Sequence, residues 1–242
     1  VVGTPLRIRG FEIVDAHRAI DRLGDVGRRQ RLIGRIFAAR VAGTIDLAPA
    51  NAAAGQHVGV AMRPVVASGA VCSARPRIAD LTRHGTIGAL AADVLAQEDA
   101  PRFVLAGLSM GGYVALEVVR QAGARVAGLA LLDTTARPDS DQATADRRRM
   151  MTLAETDFDR VVNALLPKLL LPAHMRDAKI VATVKAMATT TGVAGYTRQQ
   201  EAIIGRIDSR PHLAKIACPT LVLCGKEDTL TPVALHEEMA NA

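Results

Sequence analysis

The later part of the chain carries three short, continuous apolar runs, each closing on turn residues: Phe103–Ala106, Val126–Leu132 and Pro219–Cys224. Runs of this length without polar alternation predict strands buried on both faces, as in a parallel sheet. Between the first two runs, Gly112 to Gln121 reads as a helix burying Val114, Ala115 and Val118, with Gly123 as its terminating glycine. Strand, helix and strand in that order predict a parallel βαβ unit. Upstream, Ile78 to Gly85 reads as a strand end entering a loop. Thr86 to Gln97 then places Ile87, Leu90, Ala91, Val94 and Leu95 at helical spacing. Arg137 to Ala214 shows no strand alternation. It predicts helices over 146–155, 158–170, 175–189 and 196–207, broken at Pro138, Pro167, Pro172 and the run Thr189 to Gly192. A last helix is predicted over 233–240.

Residues 1–76 do not share this order. Residues 15–40 have loosely helical apolar spacing weakened by Gly24, Gly27 and Gly34. Val58 to Met62 and Pro64 to Val71 read as short strands. The segment holds eleven Arg, five Asp or Glu and no Lys. Its Arg-only basicity, and the change of character near Ile78, suggest that part of it comes from another reading frame or a misplaced start. Hydrolase-like N-terminal sequence in an alternative upstream frame is the expected sign.

Charge changes the picture less than the total implies. The net charge of +6 resides entirely in residues 1–76, because residues 77–242 carry nineteen basic and nineteen acidic side chains. The body of the chain therefore gives no electrostatic reason to bind nucleic acid or an anionic membrane. Arg28, Arg29, Arg31 and Arg35 form a basic cluster that reads as a solvated face. Cys72, Cys218 and Cys224 have no metal-ligand spacing and read as core thiols. Without a signal-like N-terminus or a membrane-length apolar run, a cytoplasmic location is expected.

The chemistry concentrates at Gly107-Leu-Ser-Met-Gly111, a G-x-S-x-G placed between a predicted strand and a predicted helix. In that context the motif reads as a nucleophile elbow. A serine on so tight a turn takes a strained backbone, and the positions two before and two after it have no room for side chains. The turn would lift the Ser109 hydroxyl off the sheet and aim it with the first amides of the helix, where negative charge is favoured. Gly112 adds room for close helix packing. Asp228 lies in the loop after the third apolar run, at the sheet edge where open α/β sheets gather their functional groups. Glu227 beside it and Asp133, which ends the second run, are the other acid candidates; a turn-forming role for Asp228 before Thr231 and Pro232 is also open. His84 and Gly85 read as loop structure. His174 and His212, beside prolines at helix boundaries, read as solvated or capping groups. Met150, Met151, Met175 and Met187 read as packing within the helical stretch.

Four segments carry a resemblance: Ala79 to His84, Gly107 to Gly112, Leu129 to Thr134 and Pro219 to Asp228. Together they make residues 77–242 similar to the α/β-hydrolase fold superfamily. The resemblance implies an α/β fold: a mostly parallel sheet flanked by helices, with core segments 77–136 and 215–242 and a helical cap over 137–214. It assigns Ser109 as nucleophile, Asp228 as the acid that orients a histidine, and the Met110 backbone N–H as one oxyanion donor. The histidine is expected after one more strand. His236, on the helix following the acid loop, is expected to point away from the site. The catalytic histidine, and an early loop supplying the second oxyanion donor, are therefore expected to be missing and the fold incomplete at both ends.

The implied activity is hydrolysis of a small-molecule ester, lactone or related acyl compound through an acyl-serine, impaired by the missing base. No cofactor is expected: the chain has no Walker or Rossmann glycine loop. The partner is a small acyl substrate rather than nucleic acid or membrane. The competing readings are a hydrolase-like binding protein without catalysis, and another acyl chemistry on the same elbow, such as perhydrolysis or acyl transfer. A basic N-terminal nucleic-acid module ranks behind both.

Overall fold

The computed structural model describes Leu6–Ile8, Phe11–Ile13, Val60–Pro64 and residues 77–242. Two three-residue strands, β1 (Leu6–Ile8) and β2 (Phe11–Ile13), pair antiparallel. The main sheet has the order β4-β3-β5-β6-β7, with β3 at Val60–Pro64, β4 at Arg77–Ile78, β5 at Phe103–Leu108, β6 at Val126–Leu132 and β7 at Thr220–Leu223. The three apolar runs are thus adjacent parallel strands. β3 is antiparallel to both β4 and β5, a reversal that the sequence pattern did not announce. The predicted helix over 15–40 and the strand beyond Pro64 lie outside the described residues.

Helix α1 (Ile87–Gln97) buries Ile87, Leu90, Ala91 and Val94, one stripe of a 3.6-residue repeat. Thr86 caps it by accepting the Ala89 N–H at 3.2 Å. Its C-terminal carbonyls are satisfied from a distance. The Arg125 guanidinium donates to Leu95 O and Glu98 O as well as to Ala100 O, and lies over the Phe103 ring. A cation at that helix end also opposes the negative pole of the helix dipole. Helix α2 (Met110–Ala122) is buried continuously from Met110 to Val118 and packs on α1, β5 and β6. Gly123 is not the left-handed cap expected of it. Its φ is −55°, and the chain runs through a 3₁₀ turn, Gly123–Arg125, straight into β6. The core therefore forms around Phe103, Leu105, Leu129 and Leu131 from the strands with Val114 and Val118 from α2, all 1% exposed or less.

Helices fill the interval between β6 and β7: α3 (Asp141–Thr156), α4 (Phe158–Leu169), α5 (Pro172–Met175), α6 (Ala178–Ile204) and α7 (Arg210–Leu213). The break expected at Pro167 did not occur, whereas the one expected at Thr189 to Gly192 did, at its last residue. Pro167 sits inside α4, and the threonines at 189–191 remain helical, their hydroxyls donating to carbonyls four residues back. The kink falls at Gly192, where φ is 65°. These helices have a small core of their own. Ala154, Val161 and Tyr196 are buried with Met150, Met151 and Phe158 packed around them. The final helix, α8 (Val233–Asn241), follows the loop after β7. Among the described residues no helix is long and apolar enough to cross a membrane.

Candidate active site

Parallel register brings three strand ends to one level. Leu108 of β5 lies beside Leu132 of β6, and Leu132 beside Leu223 of β7. The ladder continues one step further: Ser109 N–H donates to Leu132 O and Asp133 N–H to Leu223 O, both at 2.9 Å. Ser109, Asp133 and Cys224 therefore emerge side by side at the C-terminal edge of the sheet. The Gly225–Asp228 turn stands on the same edge.

Ser109 is the N-cap of α2, with φ 51° and ψ −117°. Such a backbone costs on the order of 1–3 kcal/mol and persists only where its surroundings leave no alternative. The packing supplies that constraint. A Cβ on Gly107 would fall 2.2 Å from the carbonyl oxygen of Gly111, and one on Gly112 would fall 2.3 Å from the Thr134 hydroxyl oxygen. Strand, turn and helix thus approach more closely than any side chain at those two positions permits. Ser109 itself is exposed. Met110 opens α2, and its N–H belongs to the first turn, whose amides have no partner within the helix.

The Asp228 carboxylate is held by its own turn. Oδ1 accepts the N–H groups of Leu230 at 2.8 Å and Thr231 at 3.0 Å, and Oδ2 accepts the Thr231 hydroxyl at 2.7 Å. The turn role considered from sequence is therefore present. A carboxylate has about four acceptor positions, so this role leaves room for a further donor. Asp133 also has a positive φ, 43°, and its Oδ1 accepts the Gly225 N–H at 2.8 Å, which ties the end of β6 to the acid turn. Between the two lies Cys224. Burial, reinforced by the carboxylates of Asp133, Asp228 and Glu237, pushes its thiol up to about 11. Glu227 is exposed.

His236 is 3% exposed on α8, and both ring nitrogens are engaged: Nε2 accepts the Thr134 N–H at 3.0 Å and Nδ1 faces Pro232 O at 3.3 Å. It does not point away as expected; it is locked beneath the loop that follows β6. Among the described residues no histidine hydrogen-bonds the Ser109 hydroxyl. His84 lies in the bend before α1, His174 in α5 and His212 in α7.

Sequence reasoning passed over Thr134. It is fully buried, its hydroxyl donates to the Ser109 carbonyl oxygen at 2.8 Å, and its side chain fills the space left by Gly112. The available signal was its position two residues beyond a strand predicted to neighbour the elbow strand.

A parallel sheet with a strained serine between strand and helix, and an acid turn on the same edge, defines the class of α/β-hydrolase folds. The comparisons narrow it. The family model described as serine aminopeptidase, S33, matches residues 82–242, and the chain belongs to that family within the α/β-hydrolase superfamily. Among curated relatives, a pimeloyl-[acyl-carrier protein] methyl ester esterase of Neisseria meningitidis is 29% identical over 173 residues, covering 65% of this chain and 66% of its own. A thermophilic esterase from Thermogutta terrifontis superposes with a TM-score of 0.59 at 30% identity, over 69% of this chain and 63% of its own. An enol-lactonase from Burkholderia xenovorans gives 0.59 at 30% identity, over 64% and 60%. The chain thus spans 60–66% of the length of these relatives.

Proposed function

We propose that this chain carries the nucleophile and acid of a serine hydrolase acting on a small-molecule carboxylic ester or lactone. The observation that carries the reading is Ser109: an exposed serine on a φ 51° turn at the head of α2. The named relatives, an esterase, a methyl ester esterase and an enol-lactonase, favour an ester-type acyl group over other substrates. In this reading the Ser109 oxygen adds to the acyl carbonyl as a base takes its proton. The developing oxyanion is met by the Met110 N–H at the positive end of α2. The carbonyl re-forms as the alkoxide leaves with a proton, and water then releases the acid from acyl-Ser109. Asp228 orients the base and stabilises its charged form. The helices α3–α7 act as a cap that shapes the acyl pocket. No described histidine is placed to be that base, so unaided Ser109 reacts slowly.

Fluorophosphonate labelling tests the reading. Slow labelling is expected at Ser109, accelerated by added imidazole and abolished by Ser109→Ala. Labelling that survives Ser109→Ala, or a wild-type chain that stays unlabelled with imidazole, removes it. The latter outcome favours a hydrolase-like binding protein.

A further inference from the structure

A buried line of hydrogen bonds connects the acid turn to the backbone of the elbow. Thr134 N–H is obligatorily a donor, so the His236 Nε2 facing it at 3.0 Å carries the lone pair. The ring proton then resides on Nδ1, which donates to Pro232 O at 3.3 Å. Thr134 in turn donates its hydroxyl to the Ser109 carbonyl oxygen at 2.8 Å, the same oxygen that accepts the Gly112 N–H at 2.8 Å. Thr134 is 0% and His236 3% exposed, so water does not compete for these groups. The line runs from Pro232, which closes the acid turn, through the imidazole and Thr134 to Ser109.

Its end point matters chemically. The Ser109 carbonyl and the Met110 N–H belong to one planar, trans peptide unit. Fixing the carbonyl from below therefore fixes the direction of the N–H above. The helix supplies one bond to this carbonyl, from Gly112 N–H, and Thr134 supplies a second from a separate element, which matters because the N-cap residue itself is strained.

We infer that Thr134 and His236 are positioning residues that hold the Ser109–Met110 peptide plane and so aim the Met110 N–H at the oxyanion. The inference rests on the reading of Ser109 as nucleophile and Met110 as donor. Loss of an oxyanion donor costs about 100- to 1,000-fold in rate, so a misaimed one costs roughly tenfold or more.

The test uses the full chain with imidazole present and a fluorophosphonate probe under saturating conditions, which separates probe affinity from the rate of labelling. Thr134→Val and His236→Leu should each slow labelling about tenfold or more without changing affinity. Their combination should be no slower than Thr134→Val alone, because both act on one plane. Thr134→Ser keeps the hydroxyl, and His236→Gln keeps an acceptor near Nε2; each should restore most of the rate. Amide exchange at Thr134, read by NMR, should speed up in His236→Leu and not in His236→Gln. Wild-type labelling rates in His236→Leu, or equal losses in the Leu and Gln variants, overturn the inference. If Ser109 is not labelled at all, the nucleophile reading has failed. Amide exchange at Met110 and Thr134 then decides the line by itself: protection unchanged in His236→Leu overturns it, and protection lost supports it.

Discussion

The sheet unit and the helices between β6 and β7 are held together in opposite ways. The sheet unit is apolar inside, with Phe103, Leu105, Ala91 and Val114 all at 0% exposure, and its buried polar line is the one through Thr134 and His236 at the strand ends. The helical stretch has a small core of its own, lends Ala202, Ile203 and Leu213 to the core of the sheet unit, and is tied internally by a buried charge cluster. Asp139, 4% exposed, accepts from Arg206 at 2.8 Å and from Arg147 at 2.9 Å. Arg206 also lies over the ring of Tyr113, 4.4 Å from its centroid, and Arg198 reaches Thr82 O at 2.6 Å. Apolar burial is non-directional and tolerates many arrangements, whereas a buried charge cluster accepts one.

The first way to break the comparison is at the sheet core. Leu105→Ala should cost about 2–5 kcal/mol and lower the midpoint of a single, global unfolding transition. A loss confined to the helices in hydrogen exchange would show that the two regions are not different in kind. The second acts on the charge cluster within the helical stretch. Asp139→Ala leaves the buried Arg206 guanidinium without its carboxylate and should cost about 3–5 kcal/mol at most, less because Arg206 keeps the carbonyls of Arg137 and Ile203. Its exchange signature should be confined to α3 and the end of α6, and uniform acceleration across β5 and β6 would contradict that.

The smallest effect is at the rim. In a Cys72→Ser, Cys218→Ser background, iodoacetamide should alkylate Cys224 with a midpoint near 11. The native thiol binds its proton more tightly than the unfolded one, whose ordinary value is 9.0. Its stabilising contribution is therefore complete below that value and is lost as pH rises towards 11. Asp228→Asn or Asp133→Asn should move the midpoint down, since each removes a repelling charge. No movement in either would place those carboxylates too far from Cys224 to share its edge of the sheet.

Local patterns told much of this in advance. The runs that became β5, β6 and β7 were readable because strands buried on both faces cannot carry polar residues. Ser109 was readable because so tight a turn tolerates little but glycine on either side, and the glycines remain in the sequence. Other features left a misleading trace. Pro167 reads as a helix breaker, yet it sits inside α4. Gly123 resembled a left-handed stop, but a 3₁₀ turn used it with negative φ.

What the sequence determined by itself was the set of parallel strands, the tight turn at Ser109 and the turn that carries Asp228, since each is written in neighbouring residues. What only the tertiary structure decided was the antiparallel direction of β3, the lodging of Thr134 against Gly112, and the orientation and tautomer of His236. These depend on partners far apart in the chain, 102 positions in the case of Thr134 and His236. No local spacing encodes such a pair. It arises when strand register brings separate loops to one edge, and each buried donor there must find an acceptor.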